Sequence, residues 1–429
     1  MTSFIEMKKL LETRALDDSF SKVYLKENFE TQYNRFSDVL DAFKNLFDKN
    51  EEREVALFSA PGRTEIGGNH TDHNHGLVLA GGISLDAIAV ASKNDDGVIR
   101  IKSAGYPMDE VCCDDLAVKA EEEGRSKAIV RGIAARFKEL GYNVGGFDAT
   151  TASQVLSGSG LSSSAAFEVL VCTMLNYLYN DGKVDPVEIA KISQYSENVY
   201  FGKPCGLLDQ MACSVGGFVR IDFEDTSKPI IEKIDFDFGK FGHSLCIVDT
   251  KGSHSDLTDE YAAVRSEMEA VAGYFGKSVL REVDKADVVK NAGDIAKKIS
   301  ERAVLRALHF YGENEKVTAQ AKALSEGDFE KFKELIIASG RSSYMYNQNV
   351  YTCKAPKNQP LSLALQISEL ILSGKGAWRV HGGGFAGTIQ AFVPEALVDK
   401  YTDAMDKLFG KGSCLKLNIR PLGGVEIKK

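Results

Sequence analysis

Proline is scarce in this chain, 9 residues in 429, well under the roughly 5% of average usage. With 44% hydrophobic residues and no low-complexity tract, the composition excludes a disordered or collagen-like chain. None of the eight cysteines (Cys112, Cys113, Cys172, Cys205, Cys213, Cys246, Cys353, Cys414) lies in a CxxC pair or at regular spacing from histidine. They read as reduced core thiols. Long apolar runs are missing too, and the start MTSFIEMKKLLETRAL is charged with a helical period. A signal peptide and a membrane span are therefore not expected, and a cytoplasmic protein is. Positive charge is in deficit: 52 Lys and Arg against 61 Asp and Glu give a net charge of −9. That balance repels polyanions and argues against nucleic-acid or anionic-membrane partners. An anionic small substrate would need local cations or a metal. The familiar GxxxxGK[ST] and HExxH motifs are absent, so phosphoryl transfer, if present, uses a different loop.

Glycine is abundant instead, 39 residues, about nine above average usage, and these must sit at specific turns. The length predicts two domains, each with its own core. Residues 1–50 carry apolar side chains at helical spacing (Leu10, Leu11; Phe36, Val39, Leu40, Phe43, Leu46, Phe47), which predicts a helical N-terminal extension of surface helices. From Val55 the pattern turns to short β runs broken by glycine. Helices are expected over 127–140, 162–179 and from Asp185-Pro186 onward, and a strand over 147–156. Beyond the β-rich stretch 216–245 come a strand at 244–249, a mainly helical stretch from 256 to 373, a glycine hairpin at 382–387, a helix at 394–409 and a strand at 414–419. The expected class is α+β in two halves, 51–220 and 221–429.

Four segments carry candidate chemistry. In GSGLSSSAAFEV (158–169), Gly158 and Gly160 allow close backbone approach, while Ser162, Ser163 and Ser164 sit where a helix begins with free N–H groups. Such an end attracts phosphate, and a serine hydroxyl can also ligate Mg²⁺. A plain serine cap after a glycine turn is the alternative. APGRTEIGGNHTDHNHG (60–76) crowds Arg63, Glu65, Asn69, His70, Asp72, His73 and His75 into one loop, suited to sugar hydroxyls; a histidine metal site is the rival reading. WRVHGGGFAGTIQAF (378–392) is a glycine hairpin, and SENVYFGKPCGLLDQMAC (196–213) offers Glu197 and Asp209 at either end of a loop. One of those carboxylates can hold Mg²⁺ while the other contacts a nucleophile.

In this order and spacing the segments resemble the galactokinase branch of the GHMP kinases, from about Val55 to the C-terminus. The resemblance implies a two-domain fold, an N-terminal ribosomal-protein-S5-like domain and a C-terminal ferredoxin-like domain. It also implies transfer of the γ-phosphoryl of ATP to the C1 hydroxyl of galactose, with Mg²⁺ as cofactor. By that resemblance Asp209 faces the sugar hydroxyl, and Arg63 stabilises the phosphoryl group and keeps Asp209 ionised. Gly158, Ser159, Gly160, Leu161, Ser162, Ser163 and Ser164 form the phosphate loop. Ser164 and Glu197 hold the metal, and Asn69, His70, Asp72, Gly206, Asp209 and Tyr261 contact the sugar. A monomer or homodimer acting on small molecules is implied.

The signature departs from the usual GRxNxIGEHxDYNxG, with Glu65 for Asn, Gly67 for Ile, Asn69 for Glu and His73 for Tyr. An amide at 69 has one acceptor and one negative charge fewer than a carboxylate. Asn69 is therefore expected to tune sugar choice, and galacturonate, N-acetylgalactosamine or L-arabinose stand as alternative substrates. A non-catalytic regulator binding galactose and ATP is the alternative of another class. The presence of Arg63, Ser164, Glu197 and Asp209 argues for catalysis.

Overall fold

The computed structural model describes residues 1–155, 160–236, 238–252 and 257–429. Among these, strands β1 (Thr2–Ser3), β2 (Glu54–Gly67), β3 (Leu77–Lys93), β4 (Val98–Ser103), β5 (Met108–Cys112), β6 (Phe147–Ser153), β7 (Phe218–Asp222) and β8 (Ile230–Ile234) share one sheet. Its order is β1-β2-β3-β6-β4-β5, with β7 on β3 and β8 on β7. A second sheet holds β9 (His243–Asp249), β10 (Ala377–His381), β11 (Thr388–Pro394) and β12 (Cys414–Leu417) in the order β10-β11-β9-β12. The last strand, β13 (Val425–Ile427), returns to pair with β2 of the first sheet.

The long β2 and β3 are buried on both faces because helices cover both. Val55, Leu57, Ile88 and Val90 point one way, into a core with Phe4, Phe20, Phe36 and Phe43. Ala56, Phe58, Ala60, Ala87, Ala89 and Ala91 point the other way, against the helix Ser163–Tyr179 and its neighbours. This alternation is the strand period of two. Residues 1–50 therefore do more than decorate a surface. Helices Phe4–Glu12 and Phe29–Phe47 roof one sheet face, and each buried phenylalanine contributes about 1.5–3 kcal/mol.

Under that roof lies an ionic knot. The fully buried Asp86 accepts from Arg35 at 2.7 Å, from the Tyr24 hydroxyl at 2.5 Å and from the Ser59 hydroxyl, and it pairs with Arg420 at 3.3 Å. It thus joins the N-terminal extension, β2, β3 and the C-terminal segment. Burial alone would raise the Asp86 carboxyl, but Arg35 and Arg420 outweigh it and hold its pKa below the usual carboxylate range. A depressed folded-state pKa gives stability that is present above the unfolded value and lost as pH falls through the folded one. Asp86→Ala should cost about 3–5 kcal/mol, since the buried Arg420 and the half-buried Arg35 lose their counter-charge. Urea unfolding at neutral pH measures it, and a loss below about 1 kcal/mol would mean that water replaces the carboxylate.

In the second sheet the chain runs β9, helices, β10, β11, the helix Val398–Phe409, β12. That is the split β-α-β arrangement of a ferredoxin-like unit. Helices Thr258–Tyr274, Lys285–Lys298, Glu301–Ser325, Phe329–Ser342 and Pro360–Leu372 fill the crossover between β9 and β10. The expected division at 220/221 is displaced. The β7–β8 hairpin keeps 230–234 with the first sheet, and β13 carries 425–427 back to it.

Candidate active site

Arg63 lies on β2 just past a register shift between Pro61 and Arg63. Its backbone N–H donates to the Leu161 carbonyl at 3.1 Å, and a guanidinium N–H reaches the Gly160 carbonyl, so the strand is stitched to the loop before helix Ser163–Tyr179. Arg63 Nε donates to Asp209 Oδ1 at 2.6 Å. Asp209 projects from the first turn of the helix Leu208–Val215, and its other oxygen accepts the Ser162 hydroxyl. Burial pushes the Asp209 carboxyl up; Arg63, then the Ser162 hydrogen bond, outweigh that and hold it below the usual range. The result is an ionised carboxylate at neutral pH whose side chain keeps 36% of its surface open.

Committing the Ser162 hydroxyl to Asp209 has a second effect. Ser162 is the N-cap of helix Ser163–Tyr179, in the left-handed region at φ 57°, and it makes no side-chain cap. The first-turn N–H groups are therefore left for another acceptor, the condition for an anion site. The helix is apolar around most of its circumference and buried along its length, which fixes that end rigidly. Ser163 is half-buried and Ser164 exposed at the opening. Gly158 and Ser159, expected in the same loop, lie outside the described residues.

Behind the serines two carboxylates converge. Gln210 Nε2 donates to Glu197 Oε2 at 2.8 Å and to Glu168 Oε2 at 3.0 Å. Glu168 Oε1 is buried without a partner, and burial together with repulsion from Glu197 pushes its pKa up to about 8. Glu168 stands four residues after Ser164 and so shares its helix face. Two buried carboxylates, one with an orphan oxygen, beside a serine hydroxyl form a donor set that suits a hard divalent cation. No three His, Cys, Asp or Glu side chains close around one point among the described residues, so such a cation would draw its other ligands from phosphate and water.

The glycine hairpin between β10 and β11 closes the opposite side. Asn69 Nδ2 donates to the Gly382 carbonyl at 2.7 Å, His70 Nε2 to Gly383 at 2.9 Å and the Tyr261 hydroxyl to Gly384 at 2.7 Å. Gly384, at φ 79°, also presses on the Asn349 carbonyl where a β-carbon would collide, so only glycine fits. His70, His75, Ser162 and Phe385 are left-handed non-glycine residues spread over three of the motifs, a concentration typical of functional loops. Asp72 Oδ2 lies 3.4 Å from where a Gly206 β-carbon would stand, so Gly206 leaves the space beside Asp72 open.

Over 377 aligned residues the chain is 32% identical to the galactokinase of Streptomyces coelicolor, covering 86% of this chain and 92% of that protein. The chain belongs to the galactokinase family. The galactokinase galactose-binding signature matches residues 41–93, and the GHMP kinases N-terminal domain matches residues 128–217. The fold is shared with the Lactococcus lactis galactokinase solved with galactose, at TM-score 0.73 and 24% identity over 90% of this chain and 98% of that one. It is also similar to the Methanococcus jannaschii mevalonate kinase, at TM-score 0.58 and 16% identity over 86% and 99% of the two chains.

Within this galactokinase-family frame the departures in the signature acquire physical reasons. Asn69 is fully buried. Its amide donates to Glu65 at 3.1 Å and to Gly382, and its oxygen accepts from Asn349 at 2.8 Å and Ser343 at 3.1 Å. All the bonding capacity of an amide is spent. In this arrangement Asn69 locks the glycine hairpin to β2. Glu65 is equally committed, paired with the fully buried Arg379 at 2.7 Å. Gly67 leaves the space that Gln320 Oε1 occupies, where a β-carbon would clash. The histidines are turned to protein partners too, His70 to Gly383 and His73 Nδ1 to the Asn74 amide at 2.9 Å.

Sequence reasoning missed His381, Arg379, Asn349 and Glu168. His381 Nε2 accepts the Glu65 N–H at 3.3 Å and meets the Thr64 hydroxyl, so Nδ1 carries the proton toward Thr388 at 2.9 Å. Burial, with Arg63 and Arg379 nearby, drives its pKa down to about 3, so it is a neutral strut. Its position directly before three glycines was the available signal, as was the Ser164–Glu168 spacing for Glu168.

Proposed function

We propose that this protein is an ATP-dependent sugar 1-kinase that phosphorylates the C1 hydroxyl of D-galactose, giving galactose 1-phosphate and ADP. The observation that carries the reading is the Arg63–Asp209–Ser162 contact at the uncapped start of helix Ser163–Tyr179. It brings an ionised carboxylate, a guanidinium and free helix N–H donors to one point. Phosphoryl transfer needs that combination, because charge develops over three phosphoryl oxygens while the acceptor hydroxyl must be held in line. Asp209 orients the hydroxyl and accepts its proton. Arg63 offers its remaining donors to the transferring group, and the first turn at Ser163 and Ser164 receives the polyphosphate.

Ser164 and Glu197, with Glu168 beside them, are the residues that would hold Mg²⁺, which neutralises phosphate charge when bound. His70, Asp72, Gly206 and Tyr261 line the sugar side, where Asp72 is partly open and Gly206 exposed. The chain divides functionally into a part built on the first sheet and a part built on the second, with the site between them. No helix among the described residues is long and apolar enough to cross a membrane, and all eight cysteines are free, which supports a cytoplasmic location.

Purified protein with ATP and Mg²⁺ should release ADP in proportion to added galactose, with galactose 1-phosphate visible by ³¹P NMR. In competition, galactose should outrun galacturonate, N-acetylgalactosamine and L-arabinose. Sugar binding without sugar-dependent ADP release would sink the enzyme reading in favour of a regulator, and a better rival sugar would reassign the substrate.

A further inference from the structure

One cation near this site has no part in the mechanism above. Lys203 follows Gly202, whose left-handed conformation (φ 82°) ends the turn Ser196–Phe201. Its backbone N–H donates to the Glu197 carbonyl at 3.2 Å, and its Nζ sits 3.3 Å from Glu197 Oε1. The two ends of this contact differ sharply: the Lys203 side chain is 65% exposed and the Glu197 side chain only 5%. An ammonium reaches in from solvent to touch a buried acid, on a backbone pinned to that same acid.

The surrounding charges make this placement consequential. Glu197 and Asp209 face a site meant for a polyanion, and Arg63 is already paired with Asp209. The positive charge of Lys203 also acts on Glu168 and Asp209. A mostly exposed ion pair is weak, so little holds Lys203 in place once a stronger anion arrives. Lysine suits such an exchange because it is a compact charge with three donors on a flexible stem. Any divalent cation that takes Glu197 Oε1 must displace this ammonium, which then needs another anionic partner.

We propose that Lys203 is a resident counter-ion of the phosphoryl site, which holds the Glu197 carboxylate in the nucleotide-free protein and transfers to the polyphosphate of ATP on binding. The proposal rests on the placement of ATP at helix Ser163–Tyr179 but not on the identity of the sugar. Its test is ATP binding to the full-length protein by calorimetry, in EDTA and again with saturating Mg²⁺. Lys203→Met should weaken metal-free ATP binding about tenfold, the effect of losing one charge-assisted contact. Lys203→Arg should restore most of it, and galactose affinity should not move in either variant. With Mg²⁺ present the difference should shrink, because the metal takes over charge neutralisation. Metal-free ATP affinity within about twofold of the parent for Lys203→Met would overturn the proposal. If the parent shows no galactose turnover but Lys203→Met still loses metal-free ATP affinity, the sugar reading falls and the role of Lys203 stands.

Discussion

Asp209→Asn should lower turnover by about a thousandfold, within the range for loss of a positioned base and a charge facing the transition state, while ATP binds nearly as before. The substitution keeps volume and removes charge. In the parent, Arg63 and the Ser162 hydroxyl keep the Asp209 carboxyl ionised against the cost of its burial. The asparagine amide can still accept one of those bonds, so the strand, loop and helix start joined through Arg63 to Gly160 and Leu161 remain joined. The phosphate-binding end is therefore left intact while the acceptor hydroxyl loses its anionic partner. Steady-state kcat with galactose and calorimetric ATP affinity measure the two halves separately. Turnover within about tenfold of the parent would mean that Asp209 only shapes the pocket.

The parts of this site that were legible in the sequence are those built by neighbours in the chain. The helix after the serines could be read because SSAAFEVLVCTMLNYLY is apolar on all sides, and a buried helix has no alternative. The glycine hairpin likewise follows from its flanking β runs. What could not be read is the closure between motifs. The Glu65–Arg379 pair joins residues 314 positions apart, and Asn69 meets Asn349 across 280. No local periodicity reports such contacts, so the bonds that tie Asn69 to Gly382 and Asn349 could not be read from the sequence. The strand pairing that crosses 220/221 was hidden for a similar reason. β8 is largely exposed and β13 is only three residues long, so neither carries a strong hydrophobic alternation, and their membership in the first sheet depends on pairing partners far away. Glu168 was hidden by its apolar surroundings, although it lies one helical turn from Ser164.

Asn69→Glu, which restores the usual residue of the signature, should destabilise the protein by roughly 3 kcal/mol or more rather than retune its sugar preference. A carboxylate at 69 loses both donors that Asn69 gives to Glu65 and to the Gly382 carbonyl. It would set a second negative charge beside the largely buried Glu65, and buried like charges are costly. Glu65→Asn alone should also be damaging, because the fully buried Arg379 loses its carboxylate partner. Combining them moves one negative charge from position 65 to position 69 and removes the repulsion. The double variant should therefore be more stable than the sum of the single losses by about 1–3 kcal/mol, the coupling expected of residues in one network. Urea unfolding of the parent, both single variants and the double variant closes the cycle. Losses that add within about 0.5 kcal/mol would mean that positions 65 and 69 do not share charge. An Asn69→Glu protein as stable as the parent, with a changed galactose-to-galacturonate ratio, would return Asn69 to the sugar pocket.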